Sequence, residues 1–397
     1  MENAITTKNI FLSMINKPLN KNFKKAFSLI ELSVVVLIIG ILIAGITQSS
    51  RLVRAMKLNT ARSLTRSSDV NSIRNLTAWF DATAEGVFSS SCNTASTNTD
   101  LTSARVFNTN TSNGNPSVTT PSSAYIMPEH RQVVRLWKDS NPQGVDADKV
   151  ILEYAQTGNC TTQNYSVTGT TGVDKGPMYH NSGLAGLPSI YFDGAASSWF
   201  SSINPVTMPI AAGKKDFSLF VVYRTDPDYS NSAYRSILQF SNSGTGNLSG
   251  ASTPNHITLI SSNGSSDACS AIPGLSFDSS TNNCPAYSFR PQNTRYTSKP
   301  STEYVFGVAI DATDATTAST ANTKIYLNSN SPATDLTLPT TPTLSSLTTG
   351  QLNVGGGYNG IFKGYISEVL IFDRKINNEE ASSVMAYLVK KYNIKSL

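Results

Sequence analysis

Residues 27–46, Phe27 to Ile46, read FSLIELSVVVLIIGILIAGI, and this stretch decides how the chain is organised. Within it Glu31 is the one charged residue. As a helix rising 1.5 Å per residue it is about 30 Å long, the thickness of a bilayer's hydrocarbon core. Lys17, Lys21, Lys24 and Lys25 precede it, which predicts an N-terminus held on the cytoplasmic side of an inner membrane. A cleaved secretory signal has a shorter apolar run and a small-x-small site, and nothing after Ile46 provides one. An ionised carboxylate inside an apolar span is costly, so Glu31 is read as functional.

The segment KKAFSLIELSVVVLIIGILIAGI, Lys24 to Ile46, resembles the processing motif of type IV pilins and pseudopilins. That pattern is a basic leader, a small residue, a Phe that becomes residue one of the mature chain, and Glu at its fifth position. Phe27 and Glu31 stand in that relation, and Ala26 stands where the family usually has Gly. The resemblance implies removal of a leader, residues 1–26, by a prepilin peptidase that cuts between Ala26 and Phe27. N-methylation of Phe27 follows. It also implies partners, namely other pilin subunits packed helix against helix in a filament. Glu31 of one subunit then neutralises the new Phe27 amine of a neighbour. Removing one member of such a pair leaves an uncompensated charge in a low-dielectric site.

Working outward from the span, no Pro occurs between Pro18 and Pro116. Leu52, Met56, Leu64, Ile73 and Leu76 recur at helical spacings among basic and small polar residues, so one helix is expected over residues 27–78. The formal charge of +5 is concentrated near this helix. Arg51, Arg54, Lys57, Arg62, Arg66 and Arg74 follow the span, and Asp69 is the acidic residue among them. The bulk of the chain carries no basic stripe, so no nucleic-acid partner is expected.

From Trp79 onward the pattern changes to short apolar runs bounded by Gly, Pro, Asn and Ser. Strands are expected at Val150–Tyr154, Ser189–Phe192, Phe217–Tyr223, Arg235–Phe240, His256–Ser261, Tyr304–Ile310, Lys324–Leu327, Leu352–Gly355 and Phe362–Phe372. One helix follows at Asn378–Tyr392, capped by Asn377 or Asn378, with Glu379 and Glu380 at its positive end. Three stretches rich in Ser, Thr and Asn, at Ser89–Ser123, Asp311–Asn322 and Ser329–Thr349, are expected to be surface loops. The fold class is therefore α+β, a long N-terminal helix followed by a mainly β antiparallel sandwich. Residues 79–397 are expected to fold without the stem.

Within residues 79–397 the order of WFDA, VRLWKDS, GLAGLPSIYFDG, FSLFVVY, KIYLN and FKGYISEVLIFDR resembles the laminin-G-like branch of the concanavalin A-like lectin and glucanase fold. This implies a jelly-roll of two curved sheets, a glycan or protein ligand, and sometimes Ca2+. Asp193, Asp311 and Asp314 are the candidate oxygen ligands. Glucanases of this fold use two convergent carboxylates, about 5 Å apart in retaining enzymes. On the last strand Glu368 and Asp373 have the wrong spacing, so Glu368 is expected to serve as an edge or loop partner, and no catalytic residue is assigned. His130, His180 and His256 are isolated in sequence and suggest no metal site. Gly355, Gly357 and Gly360 match G-x-G-x-x-G, but a strand follows them, so they are read as a glycine-rich hairpin. Cys92, Cys160, Cys269 and Cys284 suggest two disulfides among three pairings, with Cys92–Cys160 and Cys269–Cys284 favoured.

The expected function is that of a non-enzymatic pilin-like minor subunit. It is membrane-anchored before assembly and then displays a lectin-like head on a pilus for adhesion. The alternatives are a minor pseudopilin that recognises secretion substrates and, less favoured, a membrane-tethered glycan hydrolase.

Overall fold

The computed structural model describes residues 29–89, 105–108, 117–121, 130–131, 133–145, 149–154, 176–194, 198–202, 216–227, 235–241, 256–261, 274–277, 288–291, 301–311, 323–334, 336–337, 351–357 and 360–396. The chain divides into two compact units, residues 1–53 and 54–397. In the first, the described residues are helical throughout, being the start of the stem helix Leu29–Arg66. An 18-residue window of this helix has a mean hydropathy of 2.9.

The second unit begins with the last turns of that helix. The helix ends at Arg66, twelve residues short of the expected Ala78. Asn71 ends it. Its side-chain amide donates to the carbonyls of Thr65, Arg66 and Ser68 at 2.9, 3.1 and 3.0 Å, satisfying groups that a further turn would have bonded. A 3-10 turn, Asp69–Ser72, is N-capped by Ser68, and Asn75 takes a left-handed conformation with φ 63°. The chain then enters a strand, Leu76–Asp81, in place of the last helical turns expected from sequence.

Among the described residues two large, mostly antiparallel sheets follow, beside a separate two-stranded pair. The first has seven strands among the described residues. Thr323–Leu327, Glu303–Asp311, Asp216–Thr225, Lys363–Phe372, Leu187–Asp193 and Met178–Leu184 lie side by side in that order, and Leu76–Asp81 pairs with the later part of Lys363–Phe372. The second sheet contains Arg235–Ser241, His256–Ser261, Gln351–Val354, Ile151–Tyr154 and Leu136–Lys138 with their neighbours. One core lies between them. Phe217, Leu219, Val221 and Tyr223 point into it from the first sheet, and Trp137, Leu152, Phe240 and Leu352 from the second. The alternate residues Phe220 and Val222 point the other way. They form a second core with Trp79, Leu370 and Phe372, covered by the helix Asn378–Lys391 and by Ala61, Val70 and Ile73. The head is thus three layers: sheet, sheet, helices.

The nine expected strands are all present, and the C-terminal helix carries a full capping box between Asn377 and Glu380. The glycine-rich segment is a hairpin, Gly356–Gly357 against Gly360–Ile361. Two of the expected loops contain strands. Arg105–Asn108 pairs with Ser117–Pro121, and Leu336–Thr337 pairs with Pro291 and Arg290.

Candidate functional site

Every large apolar side chain from Leu29 to Ile46 is exposed, between 47% and 83%. A helix apolar on all sides is suited to lipid or to the apolar faces of other helices. Glu31 sits in its first turn, where the helix's positive end favours an anion. Ala26 and Phe27 lie outside the described residues.

At residues 58–65 the same helix becomes one-sided. Ala61 is buried and Leu58, Arg62 and Thr65 are half-buried, the i, i+3, i+4, i+7 spacing of a docked face. Arg62 donates to the carbonyl of Thr83 at 2.8 Å and pairs with Glu85. Thr65 reaches a buried polar cluster of the head. There Lys391 Nζ lies 2.7 Å from Asp81 Oδ2 and 2.8 Å from Glu368 Oε2, and all three side chains are essentially inaccessible to solvent.

The strands explain this arrangement. Asp81 and Glu368 are directly paired across adjacent strands on the helix-covered face, where two like charges repel. The C-terminal helix lowers Lys391 between them. Trp79 Nε1 and the Tyr387 hydroxyl donate to Glu368 Oε1 at 2.7 and 2.8 Å, and the Tyr392 hydroxyl donates to Oε2 at 2.9 Å. Thr65 Oγ1 lies 2.9 Å from Lys391 Nζ. Burial raises the Glu368 pKa, Lys391 opposes that rise, and Asp81 adds to it. Burial and the same two carboxylates push the Tyr387 and Tyr392 hydroxyls well up, so both remain donors.

Glu368 is therefore not the edge partner expected from sequence. It lies on a strand flanked on both sides and is completely buried. Its carboxylate neighbour, Asp81, is 287 residues distant in sequence, in the WFDA fragment that opens the head. Two carboxylates sharing one ammonium stand at roughly the separation of a retaining glycosidase pair. Here, however, both are locked on Lys391 inside a sealed layer, and a substrate cannot reach either oxygen.

Other expected residues fall as follows. Asp193 faces Lys363 at one end of the first sheet. Asp311 faces Asp216 at the end of the Asp216–Thr225 strand remote from Thr225, which pairs with Gly364. The two aspartates are therefore separated by most of a ten-residue strand, about 30 Å, and cannot share an ion. Asp314, Cys92, Cys160, Cys269 and Cys284 lie outside the described residues. His130 and His180, isolated in sequence, meet in space with ring centroids 4.8 Å apart. Among the described residues no three His, Cys, Asp or Glu side chains are grouped as metal ligands.

The family pattern described as the prokaryotic N-terminal methylation motif matches residues 21–47. No curated protein matches the chain in sequence. Several solved structures show a weak likeness to the chain. Domain 4 of AbnA, a GH43 extracellular arabinanase from Geobacillus stearothermophilus in complex with arabinotriose, is 11% identical, with a TM-score of 0.35 over 55% of this chain and 83% of that one. The CBM40 of the Ruminococcus gnavus IT-sialidase, bound to α2,3-sialyllactose, is 16% identical, with a TM-score of 0.29 over 44% of this chain and 84% of that one. A Trypanosoma rangeli sialidase is 9% identical, with a TM-score of 0.36 over 80% of this chain and 33% of that one. Likeness at this level assigns no activity. The chain is thus α+β overall, a helix bearing the methylation motif followed by mostly antiparallel sheets.

Proposed function

We propose that this chain is a non-enzymatic, pilin-like minor subunit. A prepilin peptidase removes residues 1–26 between Ala26 and Phe27, and Phe27 is N-methylated. The subunit waits in the inner membrane with its N-terminus cytoplasmic, then packs its stem into a filament. Glu31 sets register there by pairing with the Phe27 amine of a neighbour. The head is displayed outside as a lectin-like ligand-binding module. The observation that carries this reading is the methylation motif at residues 21–47, running into a helix whose apolar side chains are exposed all round. The non-enzymatic part is supported by the locked and inaccessible Asp81–Lys391–Glu368 cluster.

The test is expression with and without a prepilin peptidase, followed by mass spectrometry of the N-terminus. A mature chain starting at methylated Phe27, formed only when the peptidase is present, is the expected result. A chain that keeps residues 1–26 in the presence of an active peptidase refutes it.

A further inference from the structure

The face of the first sheet that bears the helices is not uniform. Around Trp79, Phe220 and Leu370 it is buried beneath helices. Toward the other end of the strands it carries a half-exposed cross-strand row. Met178, Tyr191 and Tyr365 are successive register partners, and Tyr365 is in turn opposite Arg224, which is opposite Glu303. Each of these side chains is partly open to solvent.

The rings form a contiguous aromatic cluster, tilted against one another by 44° to 77°. The Tyr191 and Tyr365 centroids are 4.8 Å apart, and His180 stands 5.4 Å from Tyr191 and 5.2 Å from Tyr365. The Arg224 guanidinium lies 4.5 Å from the Tyr365 centroid. Along the rim the charges are already matched. Arg224 pairs with Glu303 at 3.3 Å and Lys363 with Asp226 at 3.8 Å, while the Tyr191 hydroxyl donates to Asp226 at 2.9 Å. Burial first, then the neighbouring His130, Arg131 and Arg224, push the His180 pKa down to about 4, so its ring is neutral and offers both a donor and an acceptor.

This pattern has a specific chemical complement. Aromatic faces stack on the C–H face of a sugar ring, and each hydroxyl of a polyol needs a donor and an acceptor at the rim. Matched ion pairs supply both without attracting a net charge. Deepening the lectin-like reading above, on which it rests, we infer that the Tyr191–Tyr365–His180 platform is a binding site for a neutral saccharide, with Arg224, Lys363 and Asp226 bonding its hydroxyls.

The test titrates detergent-solubilised full-length protein by calorimetry with lactose, maltotriose and sialyllactose. Lactose or maltotriose is expected to bind, with Tyr365→Phe within about twofold of the parent and Tyr365→Ala weakened about tenfold. Melting curves check that each variant is folded. If Tyr365→Ala does not fold, Asp226→Asn at the rim is read in its place and is also expected to bind more weakly. Sugar binding unchanged by the folded variants overturns this site and leaves a ligand-binding head standing. Binding of sialyllactose alone overturns the neutral class. A folded protein that binds none of the three sugars overturns both the site and the lectin-like reading.

Discussion

At the scale of single residues, the most consequential side chain is Lys391. It is the cation between two buried carboxylates that face each other across strands. Lys391→Met leaves Asp81 and Glu368 buried without their counter-charge and is expected to cost about 3–5 kcal/mol in denaturant unfolding. A loss under about 1 kcal/mol would show that the cluster does not depend on the ammonium. Two shifts of opposite sign contribute to the pH response. Glu368 has a folded pKa raised by burial, so its contribution is fully present below its unfolded pKa and is lost as pH rises through the folded value. His180, held down to about 4, contributes stability above its unfolded pKa near 6.5 that is lost as pH falls toward 4. Unfolding curves at pH 7 and pH 4.5 should show His180→Gln losing less stability on acidification than the parent protein. Equal losses would mean that His180 is not neutral in the fold. Glu368 and His180 also mark what the sequence conceals. The strand around Glu368 is legible, yet its partner Lys391, the facing Asp81 and the Thr65 that bonds both of these come from three distant segments. His130 and His180 likewise meet only because one turn and one strand fold together, and no local spacing signals it.

At the scale of elements, periodicity did most of the work. Long runs such as Asp216–Thr225 and Lys363–Phe372 were readable because both of their faces are buried and their apolar runs are nearly continuous. Short strands such as Leu136–Lys138 and Phe200–Ser202 were not, since three residues are too few to set a period. The stem's end was misplaced for a different reason. Ile73 and Leu76 suit a helical face as well as they suit a core, and the stop is made by the Asn71 side chain rather than by Gly or Pro. That misplacement alters how the head should be cut. A fragment starting at residue 79 lacks Ala61, Val70, Ile73 and Leu76, all buried in the helix-covered core, and truncates the strand Leu76–Asp81. Folding of residues 79–397 without the stem is therefore expected to be less stable than folding with its last turns. Residues 54–397 should resist limited proteolysis as a single species, whereas residues 79–397 should be degraded or melt lower under the same oxidising conditions. Identical melting of the two would show that the stem's last turns only lean on the head. Within the C-terminal helix, Asn377→Ala removes the capping box and should cost about 1 kcal/mol, read from the same melts.

At the scale of the whole molecule, the stem and the head can be challenged separately. Glu31→Val removes the charge in the span and leaves the residue 54–397 unit untouched. Loss of the subunit from sheared filaments, with the head still protease-resistant in membranes, is the expected pairing of results. Recovery of the variant in filaments at the parent's yield would remove Glu31 from assembly. One feature of the head also bears on how such a chain is made. Its first strand, Leu76–Asp81, is zipped to its last, Lys363–Phe372, with Leu76 opposite Phe372 and Trp79 opposite Leu370. Closing a loop of that length is slow, and topologies dominated by distant contacts fold slowly. If the head is exported as proposed, Leu76–Asp81 leaves the translocation channel early and Lys363–Phe372 only near the end of export. Until then Trp79 and the open strand edge have no mate, and such an edge invites pairing with other chains. The interval between the two events is a window of vulnerability. Its length is set by how fast the intervening residues cross the membrane, so slowing export should expose the head to proteolysis even when the finished protein resists it.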